Sequence, residues 1–395
     1  MSKNALLALL AGLSVITFLD RLSISVAGPR MQRELGLSTE QWGWVLGSFI
    51  LSYGLFEIPT GAWGDRSGRH AVLTRIVLWW SGFTILTALT SSFWPLLAVR
   101  FLFGAGEAGA YPNMAGVVAE EMPEKRATAM GFIWGASRSG GALASLLVVP
   151  LQAAFGWRAS FFLFGAIGIV WAAVWWFSAK PVRQPAASKI ITPWAQLLGA
   201  PRLWTIMLMY GCYAWASWFY FTWLPTWLVK GRGFSESEMS LFAALPFVLG
   251  MLGNLAGGVL GDVAVRRFGL RHGRAVVGSS CLLAAAALLV ATALTRDRQV
   301  AVVLLSLGFG VLDLMLPSAW ALCLDISGAH AGAVSGAMNT AGQFGGFLCT
   351  VLFGYLVSRF DNYDLPLFVI AGMVTLSAFL FTRIDASRPL LQEAR

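Results

Sequence analysis

Long apolar runs separated by short polar breaks make up most of this chain. A helix needs about 20 apolar residues to cross the hydrocarbon core of a bilayer, and most of the runs reach that length. Dividing the sequence at its charged breaks predicts twelve membrane-spanning helices. We number them spans 1 to 12, and they cover residues 4–28, 40–64, 70–91, 94–119, 127–153, 157–178, 203–229, 237–263, 273–294, 299–325, 330–357 and 364–384.

The longest polar break separates the spans into two sets of six. It runs over residues 180–202 and is rich in proline and charge, which is typical of a linker. The sequence therefore predicts one six-helix bundle over 1–179, a cytoplasmic linker over 180–202 and a second bundle over 203–395. The stretch GAWGDRSGR (61–69) has a weaker copy, GVLGD (258–262), at the same place in the second half. Such a repeat predicts an all-α membrane protein of two pseudo-symmetric bundles.

Composition and charge agree with a membrane location. Of 395 residues, 57 % are hydrophobic and 12 % are charged. If both termini are cytoplasmic, most Lys and Arg lie on the cytoplasmic side, as the positive-inside rule requires. The net charge of +9 then reflects topology and gives no reason to expect nucleic acid binding. We expect a monomeric, multi-pass protein of the cell membrane, a bacterial inner membrane, without a cleavable signal peptide.

Cysteine and histidine give no sign of a metal or a cofactor. The four cysteines lie far apart in apolar runs with no CxxC spacing, so neither a disulfide framework nor a zinc site is expected. The three histidines show no metal-ligand spacing. A GxGxxG match at 104–109 lies inside an apolar helical run with no strand before it, which excludes a dinucleotide site. We predict no enzyme and no cofactor.

Three arginines, Arg21, Arg100 and Arg138, fall inside predicted spans. Each costs about 2.5–3.5 kcal/mol at the centre of a membrane helix. A guanidinium keeps its charge and binds a carboxylate through two parallel hydrogen bonds. The arginines therefore predict a site for an anion. The alternative is that Arg21 and Arg100 form buried bridges that only hold helices together.

Two carboxylates accompany these arginines. Adjacent residues on a helix point about 100° apart, so Asp20 and Arg21 should face different surroundings, with Arg100 or Arg138 as the partner of Asp20. Glu107 follows Arg100 by two turns and shares its face. Burial favours the neutral acid and a nearby arginine favours the carboxylate, so Glu107 is predicted to titrate within reach of cytoplasmic pH.

The loop GAWGDRSGR resembles the signature loop of the major facilitator superfamily. A finer resemblance, to its anion:cation symporter branch, comes from Asp20-Arg21, the stretch RFLFGAGEAGAYP (100–112), the stretch FTWLPTWL (221–228) and Asn339. That branch holds bacterial sugar-acid transporters, sialin and the vesicular glutamate transporters. The resemblance implies two bundles that rock around a central site, with Asp65, Arg66 and Arg69 as a cytoplasmic latch.

The resemblance also implies roles for residues inside the spans. Arg21 and Arg100 would bind or gate the carboxylate of the substrate, and Asn339 would contact the substrate. Asp20 and Glu107 would couple transport to protons. The function implied is a proton-coupled symporter that imports an organic carboxylate by alternating access. The alternative is an organophosphate–phosphate antiporter, a related carrier whose paired arginines lie in spans 1 and 7.

For several buried polar residues the sequence allows more than one role. Tyr53 is predicted to donate a hydrogen bond to substrate, whereas Glu57, one turn away, serves helix packing, gating or proton transfer. Arg138 binds a second acidic group of the substrate or reaches a carboxylate of another helix. Asp313 is a second proton site or part of a polar contact between the halves.

Overall fold

The computed structural model of the protein is helical along most of its length. It describes residues 2–122, 126–179, 193–327 and 330–390, with positions 62, 65, 66, 119, 126–128 and 331 as backbone only. The helices in these ranges are α1 (Lys3–Leu35), α2 (Thr39–Ser67), α3 (Arg69–Ala88), α4 (Phe93–Glu107), α5 (Ala110–Glu121), α6 (Arg126–Phe155), α7 (Trp157–Ser178), α8 (Trp194–Gly199), α9 (Pro201–Thr222), α10 (Leu224–Thr226), a π-helical turn (Trp227–Gly231), α11 (Glu236–Leu294), α12 (Arg298–Ser327), α13 (Ala331–Phe360) and α14 (Leu365–Thr382).

Every predicted span corresponds to a helix or a pair of helices, and the predicted all-α fold is confirmed. Eight helices in the described ranges are long and apolar enough to cross a membrane. One of them, α11, has 59 residues and holds both span 8 and span 9. The predicted separation of these spans is confirmed, because the chain leaves the helical conformation at Gly269, between residues 263 and 273, with φ 76° and ψ 167°. Glycine adopts this left-handed conformation without a Cβ clash.

The chain divides into two compact units. The first comprises Met1–Ala187 and Phe221–Ala244, and the second comprises Ser188–Tyr220 and Leu245–Arg395. The stretch Phe221–Ala244, which the sequence assigns to the second bundle, therefore belongs to the first unit. Most of the predicted linker, residues 180–192, lies outside the described residues. The predicted bundle boundaries remain a prediction.

Span 7, predicted as one helix over 203–229, is interrupted at Trp223, two residues before Pro225. Here α9 gives way to α10 and then to the π-helical turn. A proline has no backbone N–H and crowds the carbonyl four residues earlier, which is that of Phe221. Ser25 in α1 compensates, since its hydroxyl donates to the Phe221 carbonyl at 2.8 Å. The backbone group that the proline leaves unbonded is thus satisfied from another helix, as a membrane interior demands.

A cluster of polar contacts ties the start of α11 to helices of the first unit. Arg30 in α1 donates through Nε to both carboxylate oxygens of Glu236, at 2.7 and 2.9 Å. The same guanidinium donates through Nη1 to the carbonyl of Gln152 in α6 at 2.6 Å. One side chain therefore joins α1, α6 and α11, which accounts for the membership of Phe221–Ala244 in this unit.

Each half of the chain has an arginine–carboxylate ion pair at a corresponding position. In the first unit Arg69 Nε donates to Glu120 Oε1 at 2.7 Å, across an interval of 51 residues. In the second unit Arg274 Nε donates to Asp325 Oδ2 at 2.9 Å, again across 51 residues. Both pairs join the start of the third helix of a half to the end of the fourth. This agrees with the internal repeat in the sequence.

Gly140 allows α6 to pack closely on α1. A Cβ atom at this position would lie 2.5 Å from the carbonyl oxygen of Val15 and 3.0 Å from its Cα. Those are backbone atoms, which cannot rotate away. Gly135, earlier on the same helix, has nothing within 4 Å of its would-be Cβ.

We expect Gly140→Val to push α6 away from α1 and to lower the melting temperature of the purified protein. Overpacking of this kind costs about 1–3 kcal/mol. The matched control is Gly135→Val, which introduces the same side chain into the same helix where space is open. Equal melting temperatures for the two variants would contradict the proposed role of Gly140.

Candidate functional site

A break in the fourth predicted span places Glu107 at a helix end. Span 4 was predicted to be continuous over 94–119, and this is wrong, because α4 ends at Glu107 and the chain turns at Ala108 and Gly109. Pro112 explains the break, since a proline clashes with the carbonyl four residues earlier, here that of Ala108. Gly109 takes the left-handed conformation, with φ 85°, that the turn requires.

Glu107 forms an ion pair with Arg21, which joins α4 to α1. Arg21 donates to Glu107 Oε1 through Nη2 at 2.5 Å and through Nε at 3.1 Å. The side chains are only 9 % and 1 % exposed. The second carboxylate oxygen of Glu107 has no hydrogen-bond partner among the described residues. The sequence placed Glu107 on the face of Arg100, but its direct partner is Arg21.

Aromatic rings surround the Arg21 guanidinium. Its Cζ lies 5.2 Å from the ring centroid of Phe18, 5.2 Å from that of Phe49 and 4.8 Å from that of Tyr53. Rings at this distance attract a cation through their quadrupole. Tyr53, the predicted hydrogen-bond donor to substrate, is therefore beside Arg21. Its role as a donor remains a prediction.

Arg100 is buried without a direct ion pair. It is 2 % exposed, and its Cζ lies 4.4 Å from the ring centroid of Phe103 and 5.1 Å from that of Phe49. Within the described part of the chain no carboxylate bonds to it, and its Nε has no acceptor. Asp20 and Glu107 act on it only as nearby charges. A buried positive charge is thus left incompletely compensated.

Asp20 points away from Arg21, as the helical geometry predicts. It is 1 % exposed, and neither of its carboxylate oxygens has a hydrogen-bond partner among the residues described. The charges of Glu107 and Arg100 act on it, and the indole of Trp80 lies beside its carboxylate. Arg100, one of the two arginines that the sequence offers as its partner, acts on it through its charge, and the partner of Asp20 remains a prediction.

Four other predicted residues inside the spans are buried or half-buried. Arg138 in α6 is 8 % exposed, with its Cζ 5.5 Å from the ring centroid of Phe221, inside the first unit. Glu57 in α2 is half-buried. Asn339 in α13 is half-buried and Asp313 in α12 is fully buried, both in the second unit. The first unit therefore gathers Arg21, Arg100, Asp20, Glu107 and Tyr53, and Asn339 belongs to the other unit.

The predicted latch is only partly described. The side chains of Asp65 and Arg66 lie outside the described residues. Arg69, the third predicted member, pairs with Glu120 and ties α3 to α5. The latch function remains a prediction.

Aromatic residues near Arg21 were missed as site residues, among them Tyr111 and Phe49. The hydroxyl of Tyr111 lies 2.7 Å from that of Ser14, and the ring of Tyr111 stacks on Trp134 with centroids 4.4 Å apart. Tyr111 follows the break after Glu107, which directs it back towards α1. Phe49, which contacts both arginines, precedes Tyr53 by one helical turn, and this spacing was the available signal.

The described residues offer no metal site. No group of three His, Cys, Asp or Glu side chains among them lies close enough to hold an ion. The cysteines in the described chain are unpaired, three of them buried: Cys212, Cys323 and Cys349.

Comparison with known proteins identifies the family. The profile of the Major Facilitator Superfamily matches residues 10–350. The "Probable sulfoacetate transporter SauU" of Cupriavidus necator is 35 % identical over 94 % of this chain and 91 % of its own length. The "Hexuronate transporter" of Bacillus subtilis is 30 % identical over 96 % of this chain and 94 % of its own.

A solved structure shows the same fold. The inward-facing and occupied crystal structure of a bacterial homologue of the human lysosomal transporter Spinster aligns with TM-score 0.85 and 20 % identity, covering 96 % of this chain and 97 % of that one. The resemblance in the loop 61–69 is thereby confirmed, and the two relatives are named for organic anions, as the finer resemblance implies. As predicted, the chain is a multi-pass membrane transporter and not an enzyme: it belongs to the Major Facilitator Superfamily.

Proposed function

We propose that this protein is a proton-coupled symporter that imports a small organic anion with a carboxylate group, such as a sugar acid or a related mono- or dicarboxylate. The proposal rests on how the buried charges are arranged in the first unit. Two arginines and two acids are buried together, yet among these described side chains only Arg21 and Glu107 form an ion pair. Removing charges from water without pairing them is costly, and a bound anion offsets that cost.

Arg100 is the group that selects an anion. It has no direct ion-pair partner in the described chain, and a guanidinium does not lose its charge in a protein. Its planar donors match the two oxygens of a carboxylate. A neutral sugar or a cation would leave this charge uncompensated.

The pair between Arg21 and Glu107 supplies the coupling. A proton on Glu107 removes the negative charge that holds Arg21, so the guanidinium can turn to the carboxylate of the substrate. Loss of that proton on the other side of the membrane restores the pair and displaces the substrate. Asp20 acts on Arg100 in the same way through its charge. Proton and anion therefore travel together.

Transport proceeds by alternating access. The internal repeat supports this, since repeated halves that rock around a midplane site are a common transporter design. Asp65, Arg66 and Arg69 form the cytoplasmic latch in this scheme. The bias of Lys and Arg supports cytoplasmic termini in a bacterial inner membrane. The carrier works as a monomer.

The relatives support the substrate class. Sulfoacetate and hexuronate, the compounds for which two of them are named, each carry a carboxylate. Both are small and water-soluble, so they need a carrier to cross a bilayer. These common properties point to a carboxylate as the group that the buried arginines recognise.

A thermal-shift screen of the purified protein tests this proposal. Hexuronates, aldarates and sulfoacetate should raise the melting temperature, because a ligand at a hundred times its Kd stabilises the folded state by about 2.7 kcal/mol. Uptake into proteoliposomes with an acidic exterior should then exceed uptake at equal pH. If no carboxylate stabilises the protein, the proposal fails.

The same screen tests the alternative function, an organophosphate–phosphate antiporter. Such carriers have one of their paired arginines in span 7. In this chain the arginine of α9 is Arg202, at the start of the helix. Stabilisation by sugar phosphates and not by carboxylates would favour the antiporter.

A further inference from the structure

One ring, that of Phe49, contacts both arginines of the site. The Cζ of Arg21 is 5.2 Å from its centroid and the Cζ of Arg100 is 5.1 Å from it. The other rings nearby contact one guanidinium each among the described contacts: Phe103 contacts Arg100, and Phe18 contacts Arg21. The two charges can be no farther apart than the sum of their distances to Phe49.

Close packing holds the Phe49 ring in place. Its exposed fraction is 2 %, and it packs on Phe103 with ring centroids 5.5 Å apart. Gly104 in α4 lies directly against it, since a Cβ there would be 2.5 Å from the Phe49 carbonyl oxygen and 3.0 Å from ring atom Cδ2. The Phe49 carbonyl also accepts a bond from the Ser52 hydroxyl at 3.0 Å. The ring is thus a rigid part of the contact between α2 and α4.

A shared ring changes how two arginines behave. Long arginine side chains repel each other and would otherwise spread apart. The negative face of an aromatic ring attracts each guanidinium, so the common contact offsets part of the repulsion and sets the spacing. When Glu107 and Asp20 are both protonated, as the proposed coupling requires, the acids no longer offset the charges of Arg21 and Arg100. Two positive charges at a set spacing then require two negative ones.

We propose that Phe49 is a positioning residue that holds Arg21 and Arg100 as a two-point clamp for a small dianion. One acidic group of the substrate binds each guanidinium, and a monoanion leaves one of them unpaired. This inference rests on the proposed function, and it adds that the substrate carries two acidic groups.

The test replaces Phe49 by phenylalanines with one, two and three ring fluorines. Fluorine withdraws the negative charge from the ring face with little change in shape, so a packing role alone would be insensitive to it. Binding of sulfoacetate, a dianion, and of acetate and methanesulfonate, which are monoanions, is measured by thermal shift. The same fluorine series at Phe103 tests a ring that contacts one arginine. The series at Phe161, buried in α7, is the control for fluorination itself.

We expect the wild type to bind sulfoacetate at least about tenfold more tightly than either monoanion, which is about 1.4 kcal/mol. Each fluorine at Phe49 should weaken sulfoacetate binding further and shrink that preference. The series at Phe103 should have a smaller effect and that at Phe161 none. Equal binding of monoanions and sulfoacetate by the wild type, or a flat series at Phe49, would overturn the clamp.

A measurement without ligand separates this inference from the proposed function. The melting temperature of the empty carrier should fall with each fluorine at Phe49, and it should fall less when Arg100→Met removes one of the two charges. If no organic anion binds while this pattern is seen, the transport proposal and the dianion fail but the shared ring contact stands. If anions bind and the empty carrier shows no such pattern, the positioning role of Phe49 is refuted and the transport proposal stands.

Discussion

Replacing Arg100 by alanine is expected to abolish stabilisation by organic anions and to stop their uptake. Arg100 is 2 % exposed and, within the described chain, lacks a direct ion pair, so the substrate is its counter-charge in our proposal. Truncating one partner of a buried charge pair costs about 2–5 kcal/mol, which is at least about 30-fold in affinity. Thermal shift and proteoliposome uptake measure both effects.

Two further variants define what Arg100 contributes. Arg100→Lys keeps the charge but not the planar donors, so it should recover part of the binding and no more. Arg158→Ala is the matched control, because Arg158 pairs with Glu34 outside the site and their side chains are 37 % and 49 % exposed. Unchanged anion binding by Arg100→Ala would show that the anion is held elsewhere.

Replacing Glu107 by glutamine is expected to uncouple the carrier from protons. The amide keeps the size of the side chain and can still accept from Arg21, but it neither binds nor releases a proton. In vesicles without a membrane potential, a difference of one pH unit should drive about tenfold accumulation per coupled proton in the wild type, and none in the variant. Exchange of labelled for unlabelled substrate at equal pH should continue.

The exchange assay separates uncoupling from misfolding, since a misfolded variant would lose exchange as well. Glu40→Gln, at the first turn of α2, serves as a matched control because it makes the same substitution outside the site. If Glu107→Gln still concentrated its substrate under a pH difference, the proposed role of Glu107 in coupling would be ruled out.

The places where the sequence-based prediction was wrong share a physical cause. Hydropathy predicts where helices lie, but it is insensitive to a break within an apolar run. Span 4 breaks at Ala108 and span 7 at Trp223, and in both a proline shortly after the break removes an N–H and crowds a carbonyl. Between spans 8 and 9 the predicted boundary is correct, since the chain leaves the helical conformation at Gly269.

The partners of the buried charges were only half predictable. Spacing on one helix correctly separates Asp20 from Arg21, because that angle is local. It also puts Glu107 on the face of Arg100, yet the carboxylate bonds to Arg21 of a different helix. That pairing depends on where α4 ends and how it packs against α1. Phe49 was missed for the same reason, since its importance comes from two arginines on two other helices.

The sequence by itself determined the membrane location, the helical spans, the family and the charged residues buried in the first unit. The location, the spans and the buried charges follow from apolar length and from the cost of placing a charge in a bilayer, which act on each segment separately. The family follows from the resemblance carried by the loop 61–69. Only the tertiary structure decided that Arg21 pairs with Glu107, that Arg100 and Asp20 form no direct ion pair in the described chain, and that Phe49 contacts both arginines. Such contacts depend on the rotation and close approach of helices distant in sequence, which no single segment encodes.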